Sequence, residues 1–306
     1  MMHKHPSFTA WLAMAISIVG FSSVPLFLKH FTHHLDAWTV NGLRYGVAAL
    51  IWSPVILSNA LRANHQPIPW KAAIMPALFN TIGQVGWALA PYHNDAGLMG
   101  FVVRTSFLFA MLAGFIMLPA ERPVLRHPGF WWGTAVIVAG VVILYIPAIR
   151  QAQTTLFGTL ILLVTAIFWG LYGVSVRRWM AGYPVRLSFS IISIYTALPL
   201  MVLTLCFGQW EDIATLTPAT GSLIVVSAAI GIALSHVLLY HAIHALGAVI
   251  SEGFRSIQPF LTGIGACLLF GEQLTSGQWI GGLLLGAGCV WLGIARNQVM
   301  AKLLRN

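Results

Sequence analysis

The chain is 306 residues long, 58% hydrophobic and only 8% charged, with a mean hydropathy of +0.83. A water-soluble domain of this length would not leave so few charges for its surface, so the composition excludes a soluble enzyme or binding module. The net charge of +9 is spread in a way, set out below, that reports membrane orientation and excludes a nucleic-acid partner.

A bilayer core is crossed by roughly 20 mostly apolar residues. Windows of that kind lie near 10–28, 37–57, 72–90, 97–118, 129–147, 157–176, 187–207, 220–240, 248–270 and 278–295. The first follows Lys4 but runs to Leu28 without a small-residue cleavage pattern, so it reads as a retained helix. Arg44 lies early in the second. In the third, Asn80, Gln84 and Trp87 step along one helical face, with Tyr92 and His93 at its end. The fourth carries Arg104 in a run of Phe, Val, Leu and Met, and Glu121 follows it. The fifth opens with Gly129 and Gly133, at a spacing that lets helices approach closely. Trp169 and Tyr172 sit deep in the sixth. The eighth places His236, Tyr240 and His244 four residues apart, with His241 beside Tyr240. The ninth holds Glu252, Arg255 and Pro259, and the tenth is rich in glycine. Pro25, Pro76, Pro199 and Pro259 mark helix positions that lose a backbone hydrogen bond and are candidate bending points. Cys206, Cys267 and Cys289 fall within windows and read as packing residues. Trp70, Trp131, Trp132, Trp210 and Trp279 stand at window ends, as an interfacial belt does.

The chain repeats itself. Arg104, Gly114 and Glu121 recur as Arg255, Gly265 and Glu272, each 151 residues later, and Gly133 and Gly140 recur as Gly281 and Gly288, each 148 later. Ten windows therefore divide into two units of five. The expected fold is an all-α integral membrane protein of ten transmembrane helices in two five-helix repeats, 8–148 and 156–296, with a short cytoplasmic tail at 297–306. An odd number of helices per unit inverts the second relative to the first. With a cytoplasmic N-terminus, the inner side holds Lys4, Arg62, Lys71, Arg122, Arg126, Arg177, Arg178, Arg186, Arg296, Lys302 and Arg305, against Lys29 and Arg150 outside, where the acidic Glu211 and Asp212 also fall. Both termini are thus expected in the cytoplasm.

The run Gly271-Glu272-Gln273-Leu274, then Gln278, Gly281 and a glycine-rich helix to Leu292, resembles the end of an EamA domain of the drug/metabolite transporter superfamily. Pro259, four residues after Arg255, and Arg44 in the second window fit the same pattern. The first unit departs from it, with Leu108 in the proline's place and Ala120 before the glutamate, and Arg44 has no evident counterpart in the second. The resemblance spans nearly the whole chain and implies a bacterial inner-membrane permease that moves small metabolites, usually outward, without ATP. The small multidrug-resistance relatives use an acid in the first helix, and neither 10–28 nor 157–176 contains one, which speaks against that cation chemistry here.

Arg44, Arg104 and Arg255 are the basic residues inside windows. A charge at a helix centre costs roughly 2.5–3.5 kcal/mol on insertion scales, so it faces a partner or water. Arg255 has Glu252 three residues earlier on its own face. Arg104 has no acid within four residues, and either an acid from another helix, with Glu252 the leading candidate, or an anionic group on a substrate must meet it. Guanidinium groups grip carboxylates through paired hydrogen bonds. The expected substrate is therefore an amino acid or organic acid, exported by alternating access, with Arg104, Arg255, Glu252, Asn80, Gln84, Trp87, Tyr92, His236, Tyr240, Trp169 and Tyr172 around it. A histidine such as His236 can carry a coupled proton near neutral pH. No cofactor or metal is expected, and two fused halves are expected to work as a monomer. Two other readings stay open: transport of neutral or apolar compounds with structural arginines, and an integral-membrane lipid-modifying enzyme. The latter would need acid or histidine clusters denser than His33, His34 and Asp36, or His93 and Asp95.

Overall fold

The structure, a computed structural model, describes residues 8–61, 67–90, 93–94, 96–151, 155–271 and 273–305. Tyr92, Asp95, Glu272, Lys4 and Arg62 lie outside them. The helices are α1 (Phe8–Phe31), α2 (Ala37–Ala60), α3 (Trp70–Leu89), α4 (Ala96–Arg104), α5 (Ser106–Met117), the single turn α6 (Arg122–Leu125), α7 (Pro128–Gln151), α8 (Leu156–Met180), α9 (Val185–Phe207), α10 (Pro218–Ala228), α11 (Ser235–Leu246), α12 (Ala248–Arg255), α13 (Gln258–Phe270) and α14 (Ser276–Arg305). A π-helical turn, Ala229–Leu234, joins α10 to α11. Among the described residues nine helical stretches are long and apolar enough to cross a bilayer, counting α4 with α5 as Met99–Met117 and α10 with α11 as Pro218–Leu246. The window 248–270 instead folds as the shorter α12 and α13.

Apart from the positions opened by proline, the helices satisfy their own backbone, the condition for crossing hydrocarbon. Helix starts are set by short polar side chains: Asp36 accepts from the Trp38 and Thr39 amides at 2.8 and 3.1 Å, and Thr155 and Thr217 accept from Gly158 and Thr220. Gly271, at φ 69°, ends α13 in the left-handed region that glycine enters without strain. The surface is apolar, with Leu268 80%, Leu50 72% and Leu283 69% exposed, whereas Ser188, Ser190, Ser193, Thr196 and Thr165 are fully buried. That is the reverse of a soluble protein and suits a lipid solvent.

The packing repeats as the sequence does. α3 lies on α8 as α11 lies on α1, and α5 lies on α8 as α13 lies on α1, while α2 pairs with α9 and α7 with α14. Exchanging the halves maps the first two relations onto each other and leaves the last two unchanged. The α7–α14 seam shows why. A methyl at Gly140 would sit 2.9 Å from the Gly281 carbonyl oxygen, and one at Gly288 would sit 3.0 Å from that of Gly133. Backbone touches backbone at both points, and the helices run antiparallel.

Candidate functional site

The fourth and ninth windows are both interrupted, and at equivalent residues: α4 ends at Arg104 and α12 at Arg255. In the second repeat the cause is chemical. Pro259 has no amide hydrogen, so the Arg255 carbonyl four residues earlier loses its helical partner. Tighter bonds fill the gap, from the Ser256 amide to Gly253 O at 3.1 Å and the Ile257 amide to Phe254 O at 3.3 Å. In the first repeat the Thr105 amide turns back to Val102 O at 3.0 Å without a proline to force it.

Arg104 crosses between the repeats to meet this break. Its Nη1 donates to the Arg255 carbonyl at 3.1 Å and to Gln258 Oε1 at 2.9 Å. Arg255 pairs with Glu252 through Nη1 to Oε2 at 2.8 Å, and Ser106 donates to the other oxygen, Oε1, at 2.9 Å. The Arg255–Glu252 pair has the i, i+3 spacing read from the sequence, whereas Arg104 takes an amide and a carbonyl as its hydrogen-bond partners. Each arginine occupies the last turn of a half-helix, whose carbonyl end favours a cation. Nε of Arg104, Nε of Arg255 and Nε2 of Gln258 are buried donors with no hydrogen-bond partner.

A second group adjoins the first. The Arg255 guanidinium stands 5.1 Å from the Phe21 ring centre, and the Phe21 ring meets His236 edge-on at 4.8 Å. His236 stacks on Phe189 at 5.2 Å, faces Tyr45 and Tyr172, and bonds the Ile232 carbonyl through Nδ1 at 2.9 Å. The Tyr172 and Tyr240 hydroxyls share a short hydrogen bond. Asn80 donates to Tyr45 at 3.3 Å and Thr196 at 3.2 Å. Trp87 and Trp169 pair with ring centres 5.4 Å apart, farther along α3 and α8. Gln84 offers its backbone carbonyl to Asn41 at 3.4 Å. Arg104, Arg255 and Glu252 are thus together, the group around Asn80, His236, Tyr172 and Tyr240 adjoins them through Phe21, and the two tryptophans form a separate pair. Gln258, Ser106, Phe21, Tyr45, Phe189 and Thr196 belong to these groups and were not anticipated. Only Gln258 carried a signal, its position immediately before the proline that breaks the helix.

The joint between α11 and α12 is a second charged feature. Arg177 Nη1 donates to His244 O at 2.7 Å, and the fully buried Arg296 donates to Ala245 O at 2.6 Å and Leu246 O at 2.8 Å. The last carbonyls of α11 are thereby met by cations. After Gly247, at φ 101°, the first amides of α12 donate to Glu121: Ala248 to Oε1 at 2.8 Å and Val249 to Oε2 at 3.1 Å. Arg177 Nε stands 3.8 Å from Glu121 Oε1. Burial is the largest influence on the Glu121 carboxyl and raises its pKa, while the two amides, Arg177 and Arg296 pull it down. Among the described residues no three His, Cys, Asp or Glu side chains gather as a metal site would require.

Two copies of one helical unit, packed through equivalent surfaces with charged half-helix ends inside an apolar shell, define a multi-pass membrane protein of the transporter type. The model of the EamA-like transporter family matches residues 8–146 and again 156–294, and the chain belongs to that family. Comparison with curated proteins returns no match. A solved crystal structure is similar in fold, with a TM-score of 0.74 and 18% identity over 93% of this chain and 97% of the other.

Proposed function

We propose that the protein is a secondary exporter of a small carboxylate-bearing metabolite, an amino acid or organic acid, working by alternating access of two inverted five-helix halves. In this reading α12 with α13 is one interrupted span, as α4 with α5 is, and it completes ten. The antiparallel run of the equivalent α7 and α14 supports inversion. The observation that carries the proposal is the meeting of Arg104 and Arg255 at paired helix breaks, with buried donors of both and of Gln258 left unpaired. Interrupted helices whose ends face one another are how transporters build a site at mid-membrane depth. The aromatic group around His236 would line the same path, and the charge asymmetry of the loops supports cytoplasmic termini, in a chain read here as a monomer of the bacterial inner membrane.

The test is transport in proteoliposomes, with labelled amino acids, organic acids and neutral metabolites offered to wild type and Arg104→Gln. Saturable movement of a carboxylate that the variant loses, with its unfolding temperature unchanged, is the expected result. Full transport of that carboxylate by Arg104→Gln removes Arg104 from the site. The protein partners of both arginines favour a second reading, in which they only brace the breaks and the cargo is neutral. That reading requires neutral compounds to move equally well in both proteins.

A further inference from the structure

Arg44 has no part in the arrangement so far. It lies on α2, only 3% exposed, and its Nε donates to Ser227 Oγ at 3.1 Å at the end of α10. Ser227 is itself committed, since its hydroxyl donates to Ile224 O at 2.9 Å. Nη2 of Arg44 is buried without a partner and points at the π-helical turn, where a methyl added to Gly231 would lie 3.2 Å from it. The turn packs tightly, the Ser235 hydroxyl at the start of α11 bonding back five residues to Ile230 O at 2.6 Å, with Gly20 of α1 against both. π-Helical turns are uncommon and recur at functional sites.

Among the described residues no carboxylate compensates this cation. Among the described residues the acids are Asp36, Glu121, Glu211, Asp212 and Glu252. Asp36 is two helical turns before Arg44 and engaged by Trp38, Thr39 and Gln209. Glu121 and Glu252 pair with Arg177 and Arg255, and Glu211 and Asp212 lie on a turn between helices. A guanidinium does not lose its proton, so a buried one left with a single neutral partner is costly until an anion arrives. Arg104 and Arg255 differ, since Glu252 and two half-helix ends offset them. Arg44 is also linked to that pair, because Tyr45 beside it faces His236, whose ring meets Phe21 beneath Arg255.

We propose that Arg44, with Ser227 and the π-helical turn, is a second anion-binding position, so that the transported species carries net negative charge, as an organic acid does and a zwitterionic amino acid does not. The proposal rests on the transport reading above and narrows its substrate class.

The experiment compares wild type, Arg44→Gln and Arg44→Lys in proteoliposomes supplied with mono- and dicarboxylic acids, a phosphate monoester, zwitterionic amino acids and the uncharged amides of the same acids. Wild type should move an acid or the phosphate ester, and whichever moves identifies the oxyanion. Arg44→Gln should move that anion at least tenfold more slowly while moving its amide as wild type does. Arg44→Lys, which keeps the charge, should retain transport with a raised KM for the anion alone, and it carries the test if Arg44→Gln fails to fold. Equal loss of acid and amide, or an unaffected Arg44→Gln, overturns the proposal while transport stands. Wild-type movement of zwitterions alone also overturns it. Wild type that moves nothing overturns the transport reading and this proposal with it.

Discussion

Asp36 organises two helices from one carboxylate. Its oxygens accept from the Trp38 and Thr39 amides, the Thr39 hydroxyl and, across the repeats, the Gln209 amide at 2.7 Å. Partial burial alone would raise its pKa, but the bonds from Thr39, Gln209 and Trp38 outweigh burial and hold the carboxyl below the ordinary 3.8. Its contribution to stability is therefore complete above pH 3.8 and fades as the pH falls through the lowered native value. Asp36→Ala should cost about 0.5–2 kcal/mol near neutral pH and remove that acid-side loss. Unfolding of both proteins across pH 3–7, with no difference between them, would contradict this. At this scale the sequence was partly legible. Arg104, Arg255 and Glu252 stand out because a charge among apolar residues needs a reason. Phe21, Tyr45 and Phe189 do not, because a ring facing the bundle and one facing lipid look alike when both surroundings are apolar.

The interrupted spans show the same limit at the level of elements. Pro259 announces one break, whereas Leu108, at the equivalent position, gives no sign of the other. At that break, in the first repeat, α8 packs closely: a methyl at Gly170 would lie 2.5 Å from the Ser106 carbonyl oxygen. Pro259 also sets the position of Arg104, by freeing the carbonyl that Arg104 binds. In Pro259→Ala a new amide can donate to that carbonyl and compete with Arg104. The expected outcome is a protein more stable by no more than about 3 kcal/mol, the scale of a proline's cost inside a helix, and slower in transport. A less stable and fully active variant would show that the break is not what places Arg104.

Across the whole molecule, the α11–α12 joint ties the first repeat to the second. Glu121 comes from the turn before α6, and the amides it holds begin α12. Glu121→Ala leaves two buried amides without an acceptor and Arg177 without its counter-ion, and should cost about 3 kcal/mol or more. Gly247→Ala strains the same joint twice, through its φ of 101° and through a methyl 3.0 Å from the Glu121 carboxyl carbon. Because both changes break one joint, their effects on unfolding should sum to clearly less than the two separately. Strict additivity would mean that the carboxylate and the turn act independently. The glycine seam of α7 and α14 carries a consequence of another kind. Each close approach there is the image of the other, which makes the seam self-complementary in the way of a two-fold homodimer. None of its contacts needs the peptide link between Gln151 and Thr155. Two half-length polypeptides, synthesised apart, would each carry the glycines with which this seam is made.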